Sequence, residues 1–201
     1  MEERHDERER GMTDIISHWL ENCIYGSLQA YKALAQAGYQ HDWIRHGDLG
    51  GIRARIDGRF FEPDRYGEFW VAQPIWVEQP TAFHYVENPI LEDIIAWQPA
   101  QPDIWYFLRG ETGLILGEEN LVYAQLAGEK AVLHRTPLDW LKAGRKGAVL
   151  LDEHGLHRLL DVAEIVCADV KHGTEVKEKL NRHCLRQMPK FYVSSQQEVQ
   201  P

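Results

Sequence analysis

Three acidic residues in the C-terminal half stand where a parallel α/β sheet presents ligands, just past the carboxyl ends of apolar runs. Glu111 follows DIWYFLRG (103–110), Asp152 follows GAVLL (147–151), and Asp169 lies near the end of EIVCADV (164–170). If those runs are neighbouring strands, the three carboxylates converge on one edge. Hard oxygen ligands of that kind suit Mg²⁺, which takes one or two protein carboxylates and completes its shell with water and phosphate. The same acids also fit a plainer role, because a carboxylate at a strand end accepts bonds from the first amides of the next helix. Asp152 precedes EHGLHRLL and Asp169 precedes VKHGTE, as caps would. Glu111 lies in RGETG, which also suits the tip of a hairpin.

Other constellations are thinner. His154 and His157 are three residues apart, and His172 follows the next strand with Cys167 nearby, but zinc sites show tighter ligand pairs. His183 and Cys184, on the last helical stretch, fit packing roles. None of Cys23, Cys167 and Cys184 has a local activating context for a nucleophile. The sequence holds no phosphate-loop, dinucleotide-fold, nucleophile-elbow or His-Glu-x-x-His motif. The glycines of GDLGG (47–51) precede a strand-like segment and read as a turn rather than a phosphate cradle.

The positioning elements follow from periodicity. MEERHDERERG (1–11) is nearly all charged and cannot bury itself, so it reads as a disordered tail, with Met12 a candidate second start. Ile16, Trp19, Leu20, Cys23, Ile24, Leu28, Tyr31 and Leu34 recur at helical spacing, with Thr13 as cap and Gly38 as stop. IRARI, RFFE, EFWVAQPIWVE and AFHYV, between residues 44 and 87, read as antiparallel strands. Asn88 and Pro89 suit the start of a short helix through Trp97, which Pro99 ends. From residue 103 strands alternate with helices: a strand at 103–108, a helix at 118–127, a strand at 130–134, a helix at 136–144 capped by Thr136 with Pro137 in its first turn, a strand at 147–151, a helix near 153–163, a strand at 164–170 and a helix over 174–187. KFYV (190–193) is a last strand or a packed tail. The expected fold is α/β, with a mostly parallel sheet in the C-terminal half preceded by an N-terminal helix and a small antiparallel strand-rich segment. The expected division is a tail over 1–11, the helix and strand-rich segment over 12–98, and the α/β unit over 103–193.

A chain of 201 residues, 44% hydrophobic, is large enough for a core that needs no disulfides. Three widely spaced cysteines suit a reducing compartment, and no apolar stretch is long enough for a membrane helix, so a cytoplasmic location without membrane partners is expected. The net charge of −9 weighs against broad electrostatic contact with nucleic acid. The least acidic stretch, 44–66, sets Arg45, Arg53, Arg55, Arg59 and Arg65 against Asp48, Asp57, Glu62 and Asp64, which is close to neutral.

In element order, residues 103–187 resemble a degenerate Toprim domain, the α/β module of primases, topoisomerases and related nucleases. The resemblance rests on a strand ending near Glu111, two intervening elements, a strand ending at Asp152, and Gly155 opening a helix. It implies that Glu111 and Asp152 hold Mg²⁺ or move protons in phosphoryl transfer of nuclease or primase type. It also implies a phage or mobile-element replication module with nucleic acid or a replication protein as partner. Two departures stand out: His154 occupies the place of the second acid of the family's D-x-D pair, and the family's Glu-Gly order is reversed at Gly110 and Glu111. The lost acid implies a binding role with weakened or absent catalysis, and the cofactor is Mg²⁺ or none. The competing expectation is a non-enzymatic interaction protein that uses the amphipathic 13–37 helix, with Trp19 and Tyr31 on its stripe, or its acidic surface to bind a partner or self-associate.

Overall fold

The structure, a computed structural model, describes residues 15–39, 49–77, 90–110 and 113–187. The 1–11 tail, Thr13, AFHYV, Glu111 and KFYV lie outside the described residues.

The N-terminal helical segment changes pitch along its length. Residues 15–18 are α-helical, Trp19–Cys23 form a π-turn, Ile24–Gly26 a 3₁₀ turn, and α1 spans Ser27–Gln36. It stops at Gly38, whose φ of 80° lets the Tyr39 N–H fold back onto the Leu34 carbonyl at 3.0 Å. The buried stripe of Ile15, Trp19 and Cys23 closes over a β-barrel.

That barrel has five strands: β1 (Gly50–Asp57), β2 (Phe60–Pro63), β3 (Glu68–Val77), β4 (Ile90–Gln98) and β5 (Gln101–Phe107), closed in the order β1-β2-β5-β4-β3. All pairings are antiparallel except β2 with β5, where Phe60 stands opposite Phe107. The short helix expected from Asn88 and Pro89 through Trp97 is therefore corrected over its described residues, 90–97. Residues 90–98 form a strand buried on both sides, with Ile94 and Ala96 facing the lumen and Ile95 and Trp97 facing outward into a second core. A strand covered on both faces loses its alternation, and its near-continuous apolar run imitates a buried helix. The 103–108 strand is corrected as well, since it belongs to β5 and completes the barrel rather than opening a parallel sheet. Residues 99–100, read as a boundary, form the β4–β5 turn.

The second layer contains β6 (Ile115–Leu116), α2 (Glu118–Ala127), β7 (Ala131–His134), α3 (Pro137–Lys142), β8 (Ala148–Leu150), a 3₁₀ turn at Glu153–Gly155, α4 (Leu156–Leu159), β9 (Ile165–Cys167) and α5 (Val170–Gln187). Its four strands lie in the order β6-β8-β7-β9, with β7 parallel to both β8 and β9 and β6 antiparallel to β8. The fold is thus α/β, but its largest sheet is a mixed closed barrel and not a mostly parallel sheet. Thr136 caps α3 by accepting from the Asp139 N–H at 3.1 Å, and Pro137 occupies the first turn.

Two cores hold the second layer. Leu121 and Ala124 of α2, Leu156 and Leu159 of α4, and Val176 of α5 cover one face. The other packs Leu138, Trp140 and Leu141 of α3, with Leu116 and Val149, against Val71, Ile75, Ile95, Trp97 and Phe107 of the barrel wall and Ala30 and Leu34 of α1. Barrel and sheet share that core. Among the described residues no helix is long and apolar enough to cross a membrane.

Candidate functional site at the barrel–sheet junction

β8 ends beside the chain that enters β6. The Leu151 and Asp152 N–H groups both donate to the Leu114 carbonyl, at 2.9 and 3.2 Å, which turns Asp152 toward the barrel. Its backbone is extended (φ −142°), and it caps the 3₁₀ turn by accepting from the His154 N–H at 2.9 Å. The same oxygen, Oδ1, lies 2.6 Å from Nδ1 of His154. Oδ2 accepts from Arg59 Nη2 at 2.9 Å. Partial burial works against the charge on Asp152, but the His154 amide and imidazole and the Arg59 guanidinium outweigh it and hold the carboxyl below its usual range.

Arg59 reaches this position from the tight turn between β1 and β2. Its guanidinium sits 5.5 Å from the Phe60 ring centre and 5.2 Å from that of Phe107, and it also donates to the Gly110 carbonyl at 3.4 Å. Trp105 of β5 adds a second tie by donating from Nε1 to the Leu151 carbonyl at 3.0 Å. Barrel and sheet are thus joined at one point by an ion pair and an indole hydrogen bond.

A second carboxylate, which the sequence reading did not single out, organises the loop beside this point. Asp93 on β4 is fully buried. Its Oδ1 accepts from the Ile94 and Arg109 N–H groups at 2.7 and 3.1 Å, and its Oδ2 from the Gly110 N–H at 2.7 Å. Burial pushes the carboxyl up to about 6, against the pull of those amides and the Arg109 charge. Its neighbour Glu92 accepts from the Gly113 N–H at 3.0 Å. The chain on both sides of residues 111–112 is therefore clasped by two adjacent acids. Gly110 and Gly113 have φ of 69° and 68°, and a Cβ at Gly113 would come within 2.9 Å of Asp93 Cβ. The signal was present as a Glu-Asp pair inside the apolar run ILEDIIAW, hidden by its reading as a helix.

Asp169 belongs to a different cluster. β9 lies two strands from β8, roughly 10 Å across the sheet. Asp169 accepts from the His172 N–H at 2.8 Å as the cap of α5, and from Arg135 at 3.4 Å. The His172 amide is the main reason its carboxyl is held low. Arg135 also pairs with Glu175 at 3.0 Å. Asp152 and Asp169 are thus each held by their own arginine and their own capped turn. Among the described residues, no group of three or more His, Cys, Asp or Glu side chains is placed to hold one metal ion.

The remaining candidates also separate. His157 Nδ1 bonds the His154 carbonyl at 2.7 Å, and His172 is buried and accepts from the Ala168 N–H at 3.4 Å. Cys23 is buried, its thiol pushed up to about 12 by that burial. Cys184, expected to pack, is exposed. Gly50 and Gly51, expected in a turn, open β1, where a Cβ would strike the backbone of the N-terminal helical segment. Chemically, the junction offers a capped, ion-paired carboxylate and an imidazole that it orients through Nδ1, with the His154 side chain 81% exposed.

Comparison with known proteins finds no family model, no curated protein and no solved structure that matches the chain.

Proposed function

We propose that this chain is a Toprim-like α/β protein of a phage or mobile-element replication module that acts by binding rather than by efficient catalysis, with Asp152 joining barrel to sheet. The supporting observation is the occupancy of the carboxylate: Oδ2 is taken by Arg59, and Oδ1 by the His154 amide and imidazole. A Mg²⁺ ion bound there would have to displace a guanidinium or sit against it, and like charges at that range repel. The partner is a replication protein rather than extended nucleic acid. The net charge is −9, and among the described residues each arginine of the least acidic stretch has a partner. Arg53 donates to the Gly67 carbonyl, Arg55 pairs with Glu62, Arg59 with Asp152, and Arg65 stacks on Tyr66.

Trp105, bonded to the residue before Asp152, provides a reporter. Titration with Mg²⁺ or Mn²⁺ is expected to leave its emission unchanged in the wild type. A saturable change that disappears in Asp152→Ala, with metal-dependent cleavage or synthesis of DNA lost in Glu111→Gln, would replace this reading with an active phosphoryl-transfer enzyme.

The alternative of an interaction surface on the N-terminal helix keeps some support, on a different face. Trp19 is 3% exposed and seals the barrel, so its stripe is spent on the protein's own core. Ile16, Leu20, Tyr25 and Leu28, in contrast, are 38%, 50%, 85% and 65% exposed along the same segment. Light scattering over a concentration series distinguishes the forms of this reading. Association weakened by Leu20→Glu supports self-association through this face, and a monomer at every concentration rules it out.

A further inference from the structure

Two exposed imidazoles share one turn after β8. His154 belongs to the 3₁₀ turn and His157 to the first turn of α4, and both residues are open to solvent. Each ring is tied through the same nitrogen. Nδ1 of His154 lies 2.6 Å from Asp152 Oδ1, and Nδ1 of His157 lies 2.7 Å from the His154 carbonyl oxygen. An ionised carboxylate and a carbonyl can only accept, so Nδ1 carries the hydrogen in both rings and Nε2 of the neutral ring keeps its lone pair. Metal-bound histidines are held in this way: the ring N–H remote from the ion donates to a carboxylate or a backbone carbonyl, which fixes tautomer and orientation. His134 and His172 differ. His134 Nε2 is taken by the Lys146 carbonyl at 2.8 Å, and His172 is buried with Nδ1 turned to the Ala168 N–H.

The His-x-x-His spacing alone is a weak metal signal, and the structure adds orientation to it. Residues three apart on a helical turn have Cβ atoms about 5–6 Å from each other, and in a 3₁₀ turn they eclipse. Zn–N bonds of about 2.0–2.1 Å set two nitrogens of a tetrahedral site roughly 3.3 Å apart. Side chains so placed close that gap by leaning together, and ligand pairs at i and i+3 are a recurrent device of metal sites on helices.

We infer that His154 and His157 bind one divalent cation of the Zn²⁺ class through their Nε2 atoms, with Asp152 as a positioning residue. Among the described residues no third His, Cys, Asp or Glu joins them, so water fills the remaining positions. Imidazole nitrogen favours Zn²⁺, Ni²⁺ or Cu²⁺, whereas Mg²⁺ takes oxygen. Neither oxygen of Asp152 is a ligand here. The inference therefore stands independently of the proposed binding role and leaves the Arg59–Asp152 junction in place.

Nitrogen NMR of the histidine rings in the full chain tests this. The parent protein carries Cys184→Ser, because the exposed thiol of Cys184 would compete for Zn²⁺. At about pH 8, above the ordinary histidine range, both rings are expected as the Nδ1–H tautomer. Added Zn²⁺ is expected to shift both Nε2 resonances with one shared midpoint, and millimolar Mg²⁺ to shift neither. His154→Gln is expected to raise the Zn²⁺ midpoint read at His157 by about tenfold or more, and His157→Gln to do the same at His154. Asp152→Ala is expected to raise both midpoints by about tenfold although both ligands remain. An Nε2–H tautomer in either ring, a Zn²⁺ shift at one histidine only, or a midpoint at one that ignores loss of the other would overturn the inference. An unchanged midpoint in folded Asp152→Ala would overturn the positioning role. Should that variant not fold, the tautomers and the shared midpoint of the parent protein decide.

Discussion

Asp93 has no exposure and three amide donors, so its protonation state bears on the whole loop it holds. Burial raises its carboxyl from 3.8 to about 6. Between those values the folded state holds a proton that the unfolded state has released, so folding stability falls as pH rises through the window and levels off above it. Asp93→Asn does not titrate. Relative to that variant, the wild type is expected to lose roughly 2–3 kcal/mol between pH 4 and 7. Denaturant melts across that range check it, and a constant difference between the two proteins would show that the amides fully offset the burial. Neither Asp93 nor Arg59 stood out in the sequence. A buried acid matters through backbone amides sixteen and seventeen residues away, and Arg59 through a carboxylate 93 residues away, and no local spacing encodes either partnership.

Elements that close their own hydrogen bonds were readable, and those defined by distant partners were not. Thr136 with Pro137, and Gly38, mark helix ends by chemistry within four or five residues, and both ends lie where the sequence puts them. β4 was misread because its identity depends on two neighbours, the barrel lumen and the wall against α3, which together erase the period of two. The acids at the ends of β8 and β9 were legible as strand-end residues. Which of them share a site depends on strand order, which the sequence does not state. The glycines show a related effect. Gly26 of the 3₁₀ turn meets Gly51 of β1 so closely that a Cβ on Gly26 would run into the Gly51 carbonyl. Gly26→Ala must push helix and barrel apart, with an expected cost of roughly 1–3 kcal/mol. For a chain of this size, each kcal/mol is a fall of about 2–4 °C in Tm. An unchanged melting temperature would mean the contact is looser than described.

At the scale of the whole molecule, the barrel and the second layer share one core, with Trp97 and Phe107 on one side and Leu138, Trp140 and Val149 on the other. Calorimetry is expected to show a single transition, whereas two separable transitions would mean that this core does not couple the layers. The Arg59–Asp152 pair crosses the same boundary at its exposed rim, where it contributes modestly and fixes how the layers meet. Its role tests the central claim that Asp152 is a junction and not a metal centre. The measurement is thermal melting of the wild type, Arg59→Ala, Asp152→Ala and the double variant, with and without millimolar Mg²⁺. The account predicts a coupling energy of about 1 kcal/mol between the two residues that Mg²⁺ leaves unchanged. Additive effects of the two substitutions, or a Mg²⁺-dependent stabilisation of the wild type that Asp152→Ala abolishes, would contradict it.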